Sequence, residues 1–338
     1  MSGAGREVHV LVPCDAEGRS PEFDTPAHRA ELASWFAPLG LRWRWVPVRI
    51  GEADAIAAAL AGRDDAVAFN LCDGDELDGY PGLSVVEALE RRGVPFTGAD
   101  AAFYRTSSSK LAMKRAFARA GVATPPFAEP IGELDALVAS VGLPCLVKLD
   151  TGAAGLGLGR ASVATARAEL EAALALPRAG ARGAFVEAFA PGDELTVLVV
   201  GDARAADALA ALTSYPAVAM DFAPGTPATE RILFHGHRLE PSPHAPGVPH
   251  CRYRLAAPDA SRAAEALARR AFVATAGRGY ARVDLRDGPR GLEVLEVNAN
   301  CALSIDEPTI GLALAARGEA MSDLARAILR VALDGGSA

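Results

Sequence analysis

Lysine is almost missing from this chain. Its 338 residues carry 31 arginines and three lysines, Lys110, Lys114 and Lys148. Where arginine supplies the general charge, a retained lysine marks a place for a compact ammonium that a planar guanidinium does not fit. Phosphate contact is one such place, whereas drift in an arginine-rich composition would scatter lysines without regard to motifs. Two of the three fall in motifs. Cysteine is sparse as well: Cys14, Cys72, Cys145, Cys251 and Cys301 lie far apart without zinc or redox spacing, so buried reduced thiols are expected and disulfides are not. No apolar run approaches the roughly 20 residues that span a bilayer. A formal charge of −8 with no basic run argues against a nucleic acid or an anionic membrane as partner. The opening Met1-Ser2-Gly3-Ala4-Gly5-Arg6-Glu7 has no signal-peptide pattern, so the cytoplasm is the expected compartment.

What is present is hydrophobic residue, half of the chain, enough for a sizeable core and two or three domains. β-rich runs at 8–12, 41–50 and 66–71 alternate with helical stretches at 26–38 and 52–61. Such alternation builds a parallel sheet whose ligand crevice lies beyond the strand C-termini, where Asn70, Cys72, Asp73 and Gly74 would stand. A helix over 83–92 leads to Val94-Pro95-Phe96-Thr97-Gly98. The Thr106-Ser107-Ser108-Ser109 cluster then reads as the cap of a helix running to about residue 120. Lys110 falls in that first turn, where the dipole favours acids, so its ammonium is expected to meet an external anion or to be solvated.

A helix near 131–140 leads to a strand at 144–149 that is apolar except for Lys148, and a loop with Gly152, Gly155, Gly157 and Gly159 follows. Glycines at this density let backbone amides approach phosphates, and a lysine at the strand end reaches the same oxygens. A flexible hairpin tip would show the glycines alone. Neither the Walker A nor the Rossmann order applies, because the lysine comes first and the loop leads to another strand. Strand-like runs at 184–189 and 195–200 flank Pro191-Gly192-Asp193-Glu194, so Glu187 and Glu194 bracket a turn where acids could receive ribose hydroxyls or complete a metal environment. Residues 213–254, rich in Pro and His, read as a long active-site loop or an irregular insertion, and His235, His237, His244 and His250 lack a zinc spacing. Core helices are expected over 258–277 and about 318–333.

Residues 281–298 read as two strands reversed by Asp287-Gly288-Pro289-Arg290-Gly291. With a period of two, Arg282 and Asp284 share one face, as do Glu296 and Asn298 on the next strand. Two carboxylates and an amide oxygen form a hard-oxygen set suited to Mg²⁺, which would offset their repulsion. Taken alone, an exposed hairpin with ordinary surface charges would look the same.

In their order along the chain, these pieces resemble the ATP-grasp superfamily, and within it the D-alanine:D-alanine ligase family. The resemblance covers nearly all of the chain. It rests on Val94-Pro95-Phe96-Thr97-Gly98, Ser109-Lys110-Leu111-Ala112-Met113-Lys114, Leu146-Val147-Lys148 with its glycine loop, Phe185-Val186-Glu187 through Glu194-Leu195-Thr196-Val197, and Ala281-Arg282-Val283-Asp284 through Glu296-Val297-Asn298. The fold class it implies is α/β: an ATP-grasp, three-domain α+β architecture, with an N-terminal parallel α/β domain at 1–104, a central lid domain at 105–188 and a C-terminal domain with the metal site at 189–338. It also implies ATP with two Mg²⁺ ions, or Mn²⁺ in their place. Lys110 and Lys148, with Gly155 and Gly157, would hold phosphate or the adenine side, Glu187 the adenine at the hinge and Glu194 the ribose. Asp284, Glu296 and Asn298 would be the metal ligands, and Arg282 the catalytic residue, contacting phosphate and stabilising the oxyanion.

The departures from the family pattern concern the substrate. Val12-Pro13-Cys14-Asp15-Ala16-Glu17-Gly18 replaces the segment whose glutamate would hold an ammonium, and the glycine loop lacks paired serines. The family's central-loop lysine has no counterpart beyond His237 or Arg238. Asn300-Cys301-Ala302-Leu303-Ser304-Ile305-Asp306 replaces a small-residue turn, so Cys301, Ser304 and Asp306 are candidate substrate contacts, although Cys301 also reads as an inert small hydrophobe. The implied activity is ADP-forming ligation of a small carboxylate, such as an amino acid, to an amine through an acyl phosphate, by a homodimer. An ATP-grasp small-molecule kinase and a non-catalytic nucleotide-binding protein are the rival readings.

Overall fold

The computed structural model describes residues 6–20, 23–74, 76–130, 133–152, 155–176, 183–233 and 241–334. Three sheets carry the architecture. The first is parallel, in the order β2-β1-β3, from β1 (Glu7–Pro13), β2 (Arg42–Val48) and β3 (Ala66–Asn70). Its connections are α1 (Pro26–Phe36) and α2 (Ala53–Leu60), as the alternation predicts, and α3 (Leu83–Arg91) follows. β1 is buried along its whole length, so it reads as a continuous apolar run, the pattern of a strand covered on both faces.

Two helices then meet end to end. α4 (Ala101–Ser108) takes Thr106, Ser107 and Ser108 into its last turn, where each hydroxyl donates to a carbonyl of the preceding turn. Only Ser109 caps α5 (Lys110–Ala120), accepting from the Ala112 amide at 3.1 Å. The expected four-residue cap is thus one residue, because three hydroxyls bond back into the helix before it.

The second sheet, β4-β7-β5-β6, comprises β4 (Phe127–Ala128), β5 (Cys145–Leu149), β6 (Val163–Ala164) and β7 (Ala184–Ala188), all antiparallel. α6 (Leu134–Val141) and α7 (Arg167–Ala175) cover one face through Leu137, Val141, Cys145, Val147, Leu170 and Val186. The alternate residues Leu146, Lys148 and Glu187 point to the other face. The glycine loop does lead from β5 to its neighbour β6.

The third sheet runs β13-β10-β8-β14-β15, with β9 beside β8. Its strands are β8 (Glu194–Asp202), β9 (Thr213–Ser214), β10 (Val218–Phe222), β13 (Cys251–Leu255), β14 (Arg278–Gly288) and β15 (Gly291–Ala299); β11 (Pro241–Ser242) and β12 (Ala245–Pro249) form a separate ribbon, and α8 (Ala208–Ala211) precedes β9. Here the structure corrects the sequence reading. Residues 213–254 are no loop: β10 and β13 are paired strands of this sheet. Neither β10 nor β13 contains a proline or histidine, and composition averaged over the whole segment hid these two five-residue runs. Residues 234–240, with His235, His237 and Arg238, lie outside the described residues.

α9 (Pro258–Ala274) packs Ala264, Ala268, Ala271 and Phe272 against Val197, Val199, Ala281 and Val283 on one face of the sheet. α10 (Pro308–Arg317), which the sequence reading left out, and α11 (Met321–Asp334) cover part of the other, burying Leu198, Val200 and Tyr280. Gly279 allows the N-terminal unit to close on this sheet: at φ +83° its missing side chain makes room for the Gly98 backbone.

Candidate active site

Alternate residues Tyr280, Arg282, Asp284 and Arg286 of β14 share a face, but their surroundings differ. Tyr280 is sealed under α10 and α11, and Arg286 is buried at the other end. Arg286 Nε donates to the Gly192 carbonyl at 3.1 Å, and its guanidinium lies 5.1 Å from the Phe189 ring and 3.7 Å from Glu194. Arg282 and Asp284 lie between these two covered ends. The register sets Arg282 opposite Asn298 and Asp284 opposite both Glu296 and Thr196.

A bulge makes that alignment. Asp284 pairs with Glu296 and Leu285 with Val294, leaving Leu295 as an extra residue in β15. Strict alternation would put Glu293 and Glu296 on opposite faces; the bulge turns both to the side of Asp284 and Arg286. Asp284 accepts from Thr196 Oγ1 at 2.8 Å, Arg282 Nε at 3.1 Å and Asn298 Nδ2 at 2.8 Å, and Glu296 accepts from Asn298 Nδ2 at 3.2 Å. Burial pushes the Glu296 carboxyl up, but Lys110, Lys148, the Asn298 amide and Arg282 outweigh it and hold its pKa at about 2. Asp284, ahead of an opposing desolvation, raises the Arg282 pKa and keeps the guanidinium charged. Among the described residues no three His, Cys, Asp or Glu side chains form a metal cluster. A divalent ion at this face would have the two carboxylates and the Asn298 amide to draw on. Its Nδ2 now faces both carboxylates, and a half-turn of the amide would present Oδ1, completing an all-oxygen set that fits a hard cation.

The second sheet brings Lys148 to the same place, and α5 brings Lys110 and Lys114. Lys148 and Glu187 are diagonal neighbours on antiparallel β5 and β7, with Nζ to Oε1 at 2.7 Å. Glu187 is fully buried and forms a second ion pair, with Lys114. Burial raises the Glu187 carboxyl pKa, yet the two ammonium groups prevail and lower it. Burial works against the Lys148 ammonium, and Glu187 more than offsets it. Lys110 is half-buried: Nζ donates to the Gly152 carbonyl at 2.7 Å and lies 3.4 Å from Glu296. Asp150 makes that possible. Its carboxylate accepts from Ser109 Oγ at 2.9 Å and the Leu111 amide at 2.8 Å, satisfying the N-terminus of α5 with an acid and tying it to the end of β5. Gly155 and Gly157 take φ of +71° and +72° in the loop beyond, while residues 153–154 lie outside the described residues.

Sequence reasoning passed over Lys114, Asp150, Thr196 and Arg286. Only the rarity of lysine signalled the first. The far side of the site is quieter. Cys301 is buried in the α10–α11 core, and desolvation pushes its thiol up to about 12. Ser304 Oγ donates to Glu31 of α1 at 3.0 Å, and exposed Asp306 donates its amide to Ser304. Asp15 and Glu17 both pair with Arg19, closing their loop on itself. The structure therefore gathers Arg282, Asp284, Glu296, Asn298, Lys110, Lys148 and Glu187, puts Glu194 beside Arg286, and leaves Cys301, Ser304 and Asp306 in three different settings.

No family model matches the sequence. A D-alanine–D-alanine ligase of Desulforudis audaxviator is 30% identical over 254 residues, which are 72% of this chain and 74% of that protein. The chain belongs to the D-alanine–D-alanine ligase family. A ligase of the same name from Xanthomonas axonopodis pv. citri is 28% identical over 256 residues, 72% of this chain and 71% of that protein. One from Cupriavidus taiwanensis reaches 37% over 124 residues, 36% of this chain. The crystal structure of D-alanine–D-alanine ligase from Bacillus anthracis superposes with a TM-score of 0.69 over 98% of both chains at 17% identity, which shows the ATP-grasp fold. This member of the ligase family is an ATP-dependent, ADP-forming carbon–nitrogen ligase. No helix among the described residues is long and apolar enough to cross a membrane.

Proposed function

We propose that this ligase phosphorylates the carboxylate of an amino acid or similar small acid, and that an amine then attacks the acyl phosphate to give an amide, ADP and phosphate. The observation that carries this reading is the convergence of Arg282, Asp284, Glu296 and Asn298 on the body with Lys110 and Lys148 on the lid. The D-alanine–D-alanine ligase of Bacillus anthracis has also been crystallised complexed with ATP, over 98% of this chain's length at a TM-score of 0.68. In the proposed complex Lys110, Lys148 and the amides of Gly155 and Gly157 meet ATP phosphates. Glu187 lies at the adenine side and Glu194 at the ribose. Asp284, Glu296 and Asn298 would hold two Mg²⁺ ions, or Mn²⁺, whose charge at the β- and γ-phosphate oxygens would be the metal's contribution. Arg282 would stabilise the oxyanion that forms when the amine attacks. Closure of the glycine loop would exclude water and protect the acyl phosphate.

The proposed division 1–104, 105–188 and 189–338 has one large sheet in each unit and the β11–β12 ribbon in the third, while α4 crosses residue 104. Small-molecule substrates, no nucleic-acid partner, a cytoplasmic site and a homodimer complete the proposal, the charge of −8 supporting the second. D-Alanine is the first acid to try, both as acid and as amine. ADP release is measured over pairs of amino acids with products identified by mass. An amide product is expected; a phosphorylated acid as the stable product, or ATP bound with no turnover for any pair, would refute the reading.

A further inference from the structure

We infer that Lys114 is a positioning residue of the nucleotide site: it holds Glu187 so that the Lys148 ammonium is presented to the ATP phosphates. The inference rests on the placement of Lys148 at ATP proposed above. Lys114 has no exposed surface in a chain that uses arginine almost everywhere else. An ammonium has three N–H donors, and three acceptors surround this one: the Glu187 carboxylate, Thr124 Oγ1 at 2.7 Å and the Val294 carbonyl at 3.4 Å. The Thr124 hydroxyl spends its own proton on the Val294 carbonyl at 2.7 Å, which leaves its oxygen free to accept.

These acceptors belong to different parts of the fold. Glu187 is on lid strand β7, Val294 on body strand β15, and Thr124 on the connection between α5 and β4. Lys114 therefore pins the lid to the body at the point where Glu187 meets Lys148. Its second effect is electrostatic. Glu187 offers one oxygen to each lysine, so Lys114 takes up part of the carboxylate charge and Lys148 keeps positive potential for a phosphate. Without Lys114 the carboxylate has a single cation and turns toward it, drawing Lys148 away from the cleft. A lysine that merely filled the core would change stability and leave nucleotide affinity alone. An arginine would not serve, because its planar fork is too large for a site with no free surface.

The test is the affinity of the full chain for the non-hydrolysable analogue adenylyl-imidodiphosphate with Mg²⁺, by titration calorimetry well below the melting temperature. Lys114→Met is expected to raise Kd at least tenfold. Kd within twofold of the parent overturns the inference. If Lys114→Met does not fold, Thr124→Val decides, since it keeps the buried charge paired: a Kd about threefold higher supports the inference and an unchanged Kd overturns it. Lys148→Met separates the two levels of the argument. If it leaves Kd unchanged, the placement of Lys148 at ATP is wrong; if it weakens binding while Lys114→Met does not, only the role of Lys114 falls.

Discussion

The two ends of the cleft are built by different means. At the proposed nucleotide end, charged side chains from separate elements neutralise one another: Lys110 of α5 meets Glu296 of β15, and Glu187 of β7 joins Lys148 of β5 to Lys114 of α5. At the opposite end, backbone and hydrophobic contacts prevail. Asn300, at φ +50°, accepts from the Ala99 amide at 2.8 Å through Oδ1, Cys301 sinks into the core, and Glu31 receives both Ser304 Oγ and the Ile305 amide. The lesson is that one end is held by paired charges, as the proposed binding of an anionic nucleotide requires, whereas the other end is shaped by packing. A change at the first should alter chemistry, and a change at the second should alter stability.

Four substitutions can break or sharpen that contrast. Glu296→Gln should have the largest effect, lowering kcat/KM at least tenfold, or about 1.4 kcal/mol of transition-state stabilisation, in a steady-state ADP-release assay. Near-parental activity would remove Glu296 from the reacting centre. Asn300→Ala should cost about 1 kcal/mol of stability in a denaturant titration by stranding the buried Ala99 amide, while the ATP KM stays put. A shift in ATP KM without loss of stability would erase the distinction between the ends. Lys148→Arg keeps the charge and loses the fit, so ATP KM should rise roughly fivefold; an unchanged KM would mean that any cation serves there. Asp15→Asn should do least. Its carboxylate is already committed to Arg19, whose backbone amide is the main cause of its lowered pKa, so the amino-acid KM should move by less than about twofold. A large rise would make Asp15 the missing ammonium anchor after all.

These contrasts follow how much of the molecule could be read beforehand. Alternation along β14 and β15 put Arg282, Asp284, Glu296 and Asn298 on shared faces, and the β-α-β order announced the parallel sheet. Periodicity could not reveal the bulge at Leu295, since one extra residue leaves no trace in composition. Nor could it find Asp150 or Lys114, whose partners lie 39 and 73 residues away in sequence and meet only after the sheets pack. Asp284 shows both sides of this, because its own strand was legible and its bond to Thr196 across the sheet was not. Residues 213–254 failed for the opposite reason: prolines and histidines elsewhere in the segment outweighed the short runs at β10 and β13. Local pattern identifies an element and its faces, but an ion-pair network that joins elements has no local pattern.

The most direct test of the central claim follows oxygen rather than rate. An acid that supports turnover is supplied with both carboxylate oxygens as ¹⁸O, together with ATP, Mg²⁺ and the amine, and the inorganic phosphate is analysed by mass. Attack of the carboxylate on the γ-phosphorus followed by displacement of phosphate by the amine predicts one ¹⁸O in the phosphate and the other in the amide carbonyl. Unlabelled phosphate, with both heavy oxygens still on the acid, would contradict the account.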